Sequence, residues 1–168
     1  PAAMHQLALY YEQGDGVRQD WTLAVHWHRL AAGRGEAAAM SSLAWCLERG
    51  KGVARSMEKA ARWYQRAAQA GDRRGMLRWA QCCEQGTGTP ADAQQAVRWY
   101  RAAAEAGDGA AMYDLGRCYE TGAGVEQDER EALRWYHRGM DAGDRRAFRA
   151  FLGEEPEPDD PQSGGTLD

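Results

Sequence analysis

Residues 109–144 read GAAMYDLGRCYETGAGVEQDEREALRWYHRGMDAGD, and nearly the same pattern stands 36, 72 and 108 residues upstream. Met112, Leu115, Gly116 and Tyr119 fall at i, i+3, i+4 and i+7, one apolar stripe on a helix. The stripe predicts a helix A over 109–121 that stops at Gly122-Ala123-Gly124, where glycine accepts a left-handed geometry that a Cβ would strain. Asp128 is placed to cap a helix B running to Asp141, with Glu131 three residues later, the spacing of a reciprocal capping box. Ala132, Trp135, Tyr136 and Gly139 then face inward, Gly143 ends the helix, and Asp144 caps the next helix A.

Trp27, Trp63, Trp99 and Trp135 keep the 36-residue step, each preceded three positions earlier by Ala24, Ala60, Ala96 or Ala132. Gly14, Gly50, Gly86 and Gly122 keep it too, as do Gly16, Gly52, Gly88 and Gly124 and the acids Glu12, Glu48, Glu84 and Glu120. A fixed period of this size marks a solenoid, in which no unit buries its apolar face alone and neighbours stack to bury it. Four ungapped copies occupy 1–36, 37–72, 73–108 and 109–144. Residues 145–152 begin a fifth helix A, with Ala147, Phe148 and Phe151 at core positions, that would cap the last pair. The solenoid is therefore expected over 1–152, and 153–168, rich in Glu, Pro and Asp, is expected to be a disordered acidic tail. The repeating alanines and glycines read as framework, and the tryptophans as volume filling the space the alanines leave. On that reading Trp99→Ala costs about 3–5 kcal/mol.

Charge and composition narrow the function. The net charge is −4, of which the acidic tail carries −6, leaving +2 for the repeats. A nucleic-acid binder should show a strong basic stripe, so no nucleic-acid partner is expected. No apolar run approaches the roughly 18 residues of a membrane span, so no membrane insertion is expected. Cys46, Cys82 and Cys118 share one repeat position, too far apart for bridging, and with Cys83 read as buried thiols. This leans toward the cytoplasm. The chain starts at Pro1 inside the first copy, so a periplasmic location follows if an upstream signal was removed. The sequence leaves the oligomeric state open.

The pattern Ala-x-x-x-Leu-Gly-x-x-Tyr-x-x-Gly-x-Gly-Val-x-x-Asp…Ala-x-x-Trp-Tyr resembles the Sel1-like repeat family, relatives of the tetratricopeptide repeat with a longer loop. The fourth copy shows it as Ala111, Leu115-Gly116, Tyr119, Gly122, Gly124-Val125, Asp128, Ala132 and Trp135-Tyr136. Departures are His28 for Tyr, Thr89-Pro90 in the loop of copy three, Trp79 for the helix A Leu, and Gly139-Met140 for Ala-Ala. The resemblance implies an all-α fold, a right-handed α-solenoid of antiparallel helix pairs. It also implies an adaptor or scaffold that binds another protein or peptide. Some members are similar to antitoxin-like immunity proteins that neutralise secreted effectors, which is the alternative reading, and others have been linked with penicillin binding.

Four motifs carry candidate chemistry, and each has a plainer account. Ser56-Met57-Glu58-Lys59 spells the Ser-x-x-Lys of penicillin-recognising enzymes, but Ser56 stands at the N-cap slot held elsewhere by Asp, and no enzyme activity is expected. His26 and His28 lie two apart on a helix and point apart, His28 takes a packing position, and His5 is alone and expected to be exposed. No metal and no cofactor is expected. Arg73-Arg74 and Arg145-Arg146 recur at one position, as an RNA-reading array would require. They stand beside Asp72 and Asp144 at helix starts, where solvated or paired charge is ordinary.

In such arrays the first helix of each pair lines the concave face. Framework positions repeat and recognition positions should not. On helix A the fifth position reads His5, Ser41, Leu77, Tyr113 and the ninth reads Leu9, Trp45, Gln81, Arg117; the thirteenth adds Arg49. These nine are the expected partner-binding residues, with Trp45 foremost, because Trp, Tyr and Arg are the usual interface anchors.

Overall fold

A computed structural model describes residues 1–153, so the expected acidic tail, apart from its first residue, lies outside the described residues. Nine helices stand among the described residues: α1 Ala2–Gln13, α2 Trp21–Ala32, α3 Ala37–Arg49, α4 Met57–Gln69, α5 Arg73–Gln85, α6 Ala93–Glu105, α7 Gly109–Thr121, α8 Glu129–Asp141 and α9 Arg145–Phe151. The odd-numbered helices are the A helices and the even-numbered ones the B helices. They fall into two compact units, Pro1–Ala91 with α1–α5 and a second from Asp92 with α6–α9.

Local sequence explains where the helices start and stop. Gly14, Gly50, Gly86 and Gly122 close the four long A helices in the left-handed region, each donating its amide to the carbonyl four residues back. Asp20, Ser56, Asp92 and Asp128 cap the B helices through their side-chain oxygens. The capping box expected at Asp128 is only half made. The Glu131 carboxylate pairs with Arg134, and the Asp128 amide instead donates to the Tyr119 carbonyl at 2.9 Å. Asp20 and Ser56 do the same toward Tyr11 and Leu47, at 3.0 and 2.9 Å, so each cap ties its loop back to the preceding helix.

The second glycine of each turn joins one repeat to the one before. A Cβ on Gly52 would stand 2.2 Å from the Trp21 carbonyl oxygen, and on Gly88 2.3 Å from that of Met57. In the second unit Gly124 meets the Ala93 carbonyl in the same way, at 2.3 Å. All three carbonyls belong to the first residue of a B helix one copy upstream. Gly16, with φ of 69° like the others, has nothing within 4 Å.

The core corrects the expectation for the tryptophans. Trp27, Trp63 and Trp99 are only half-buried, and Trp135 alone is buried. The deepest large side chains are their neighbours: Tyr100 and His28 are 0% exposed, Tyr64 2% and Tyr136 3%. Adjacent helix residues point about 100° apart, so both cannot face the axis of packing. The tyrosine wins because its hydroxyl has a partner: Tyr64 donates to Glu48 at 2.7 Å and Tyr136 to Glu120 at 2.6 Å. Two of the indoles lie under a cation, with Arg66 4.9 Å from the Trp63 ring and Arg138 4.3 Å from that of Trp135. A second correction falls on α9. Of its three expected core residues only Ala147 is buried; Phe148 and Phe151 remain exposed, since among the described residues no helix follows α9.

Candidate functional site

The first unit carries a groove of about 560 Å3 on the face of its A helices. Helix α1 contributes His5, Leu9 and Glu12; α3 contributes Ala38, Ser41, Ser42 and Trp45; α5 contributes Arg73, Arg74, Leu77 and Arg78. On each helix these residues recur at three- and four-residue steps, so they form one face. Trp21 at the start of α2, Tyr64 of α4 and Asp72, the N-cap of α5, complete the lining.

Its apolar part is an aromatic pair. Trp45 is 37% exposed, and its ring lies 5.8 Å from that of Trp21 at a 36° tilt. Lys51 covers the Trp21 ring at 5.5 Å. Leu9 and Leu77 are half-buried in the same lining.

Beneath lies a fixed polar layer. His28 Nε2 and Glu12 Oε1 are 2.8 Å apart, and a carboxylate can only accept, so Nε2 carries the proton. The opposite nitrogen, Nδ1, stands 3.2 Å from His5 Nδ1, so the two rings share a hydrogen bond. Burial first, then the neighbouring His28, hold the His5 imidazole below its ordinary value. Arg78 and Tyr64 both donate to Glu48, at 2.5 and 2.7 Å. Burial alone would raise the Glu48 carboxyl, but these two bonds together with the charges of Arg78 and Arg49 outweigh it and hold it below the usual carboxylate value. Ser41 donates to Asp72 at 2.5 Å, and the same carboxylate oxygen caps α5 by accepting from the Gly75 amide at 2.7 Å.

Five of the nine expected recognition residues meet in this groove: His5, Leu9, Ser41, Trp45 and Leu77. Two of these need correction. Ser41 is buried and bonded to Asp72, and His5 is half-buried against His28, where the sequence suggested a lone exposed ring. Arg49 is exposed at the end of α3, outside the lining. Gln81 lies outside it too, accepting from Arg78 at 3.0 Å. Tyr113 and Arg117 belong to the second unit. There Tyr113 packs 5.8 Å from the Tyr136 ring with Arg146 at 4.6 Å, and Arg117 stands 4.0 Å from Asp114. The sequence reasoning missed Trp21, Arg74 and Arg78. Trp21 had a signal, since the corresponding residues are Met57, Ala93 and Glu129 and an aromatic stands only in copy one. Arg78 had none, because its position depends on the Glu48 bond.

Ser56 behaves as a cap: its hydroxyl accepts from the Lys59 amide at 3.3 Å. All four cysteines are free and buried. Among the described residues no cluster of three metal-ligating side chains exists, and no helix is long and apolar enough to cross a membrane.

Stacked helix pairs of fixed length, with a repeating framework and a variable groove, define a solenoid scaffold. The model of the Sel1 repeat matches residues 1–36, 37–72, 73–108 and 109–144, and the chain belongs to this family. A Sel1 repeat protein from Oxalobacter formigenes is 33% identical and superposes with a TM-score of 0.86 over 91% of this chain and 63% of its own. The protective antigen c5321 of uropathogenic Escherichia coli, which displays the same fold, is 30% identical, with a TM-score of 0.87 over 90% of this chain and 32% of its own. The chain thus spans less than two thirds of either relative. Cysteine-rich protein B of Helicobacter pylori shares the fold at 20% identity, with a TM-score of 0.63 over 82% of this chain and 98% of its own. No curated protein matches. Sel1 repeats are helical scaffolds that generally mediate protein–protein interaction.

Proposed function

We propose that this chain is a protein-binding scaffold whose first unit receives a segment of a partner protein in the A-helix groove. One observation carries the reading. Non-repeating residues from α1, α3 and α5 converge on one groove, with the half-exposed Trp45 paired to Trp21 at its surface. The fixed polar layer keeps the groove walls in place, so binding needs little reordering.

The test is photo-crosslinking in cells. A photoreactive phenylalanine replaces Leu9 in one variant and Leu133, an exposed residue of α8, in another. A discrete protein adduct at position 9, absent at 133 and lost when Trp45→Ala is added, supports the groove. Equal adducts at both positions, or none at position 9, refute it. The mass-spectrometric identity of the adduct also decides the antitoxin-like alternative, since a secreted effector there makes this an immunity protein.

A further inference from the structure

The charges around the groove are unequally free, and this narrows the partner. Its two acids are already occupied: Glu12 accepts from His28, and Asp72 accepts from both Ser41 and the Gly75 amide. Arg78 is likewise bound to Glu48. Arg74 is different: it is exposed and makes no ion pair among the described residues. It stands one helical turn before Leu77 on α5, so a cation and an apolar surface share one face.

We propose that the groove takes a peptide segment in which a large apolar side chain has a carboxylate within a few residues of it. The apolar group lies against Trp45 and Leu77, and a carboxylate meets Arg74. This rests on the groove reading above and specifies its ligand. The chemistry follows from what each surface lacks. An incoming carboxylate gains Arg74, whose charge no acid among the described residues pairs with, while Glu12 and Asp72 are held by hydrogen bonds to other residues of the chain. An incoming lysine or arginine placed beside Arg74 would meet an unpaired like charge instead. Arginine suits the role, since its fork binds a carboxylate through two parallel bonds. The exposed indole supplies apolar area to a side chain that would otherwise remain wet.

The full chain is immobilised and a phage-displayed library of random heptapeptides is selected on it, in parallel with Arg74→Glu and Trp45→Ala. Both substituted side chains are at the surface, and circular dichroism verifies that each variant is folded. On the native chain the enriched peptides pair Phe, Trp or Leu with Asp or Glu, and a representative synthetic peptide binds at least about tenfold more tightly than its Lys-for-Glu counterpart. On Arg74→Glu the acidic preference disappears or turns to Lys and Arg. On Trp45→Ala the apolar enrichment is lost. If apolar peptides are enriched without regard to charge, and Arg74→Glu changes nothing, the acidic specificity is wrong while the groove stands. If enrichment survives Trp45→Ala, or no peptide is enriched on the native chain, the groove reading itself falls.

Discussion

Gly52→Ala and Gly16→Ala place the same methyl group at the same repeat position with φ of 65° and 69°, yet the two should differ sharply in stability. Both pay for holding an L-residue in the left-handed region, about 1 kcal/mol. At Gly16 the methyl enters open space, and the loss stops there. At Gly52 it lands 2.2 Å from the Trp21 carbonyl oxygen and 2.8 Å from the Thr22 nitrogen. A carbon–oxygen contact needs about 3.4 Å, so the start of α2 must retreat by about 1 Å or the loop must lift away. Overpacking of this kind costs a further 1–3 kcal/mol or so, giving a total of about 2–4 kcal/mol for Gly52→Ala. Gly14→Ala and Gly50→Ala correct for position along the chain, since both have left-handed φ and nearest neighbours at 3.3–3.4 Å. Urea melts of the four variants give the two differences, with the m value checked for a changed denatured state. If Gly52→Ala exceeds Gly50→Ala by no more than Gly16→Ala exceeds Gly14→Ala, the second glycine is an ordinary turn residue and the inter-repeat contact contributes nothing.

Tyr100→Ala should cost about 3–5 kcal/mol and Trp99→Ala clearly less, about 2 kcal/mol, because only the first empties a closed core site. Equal losses in chemical denaturation would return the indole to the core. Tyr64→Phe should cost about 1 kcal/mol, since Glu48 keeps its Arg78 bond when the hydroxyl goes; a neutral result would show the tyrosine bond to be replaceable by water. The Glu48 carboxyl is held below its unfolded value, so its contribution is present above about pH 4.3 and is lost as pH falls through the folded value. Glu48→Gln should therefore be destabilising at neutral pH and converge on the native chain in acid, and a constant gap across pH would contradict this. Burial pushes the Cys46 thiol up to about 12 and Cys82 up to about 11, so at pH 8 both should label slowly when folded and rapidly in urea.

The framework was legible because its causes are local or strictly periodic. Ser56 and Asp128 cap helices through bonds reaching two or three residues, and Gly86 or Gly122 ends one by its own φ, so a single copy predicts them. The groove was half legible: the non-repeating positions of helix A include five residues that line it, Trp45, Leu77, Leu9, Ser41 and His5. The exposure of Ser41 and His5 was misread, because their partners Asp72 and His28 lie 31 and 23 residues away, beyond any local pattern. The choice between Trp99 and Tyr100 was hidden for a different reason. The tryptophan keeps the period in all four copies and the tyrosine in three, so spacing alone favours the wrong residue; Tyr64 and Tyr136 turn inward to the glutamate on the preceding A helix. Glu48 and Glu120 repeat as faithfully as the tryptophans, and an acceptor sixteen residues before each tyrosine was the missing clue.

Copy one shows how a framework position can be turned toward the groove. Tyr64 and Tyr136 use one polar atom, and it is spent on the glutamate of their own copy. His28 makes the equivalent bond to Glu12 through Nε2 but has a second nitrogen left, which meets His5 in the groove wall. Cys46, whose counterpart in copy one is the exposed Tyr10, brings its sulfur within 3.8 Å of the same Glu12 oxygen. The substitution thus preserves the inner hydrogen bond while orienting one groove residue from below. Trp21 is the matching change at the surface, an aromatic introduced where the other copies have Met57, Ala93 and Glu129, and it is the ring on which Trp45 rests. Two departures in the same copy, one beneath the groove and one at its edge, converge on the face carrying Trp45. Drift in a redundant repeat would scatter such changes, so their convergence favours a recognition surface over relaxed packing.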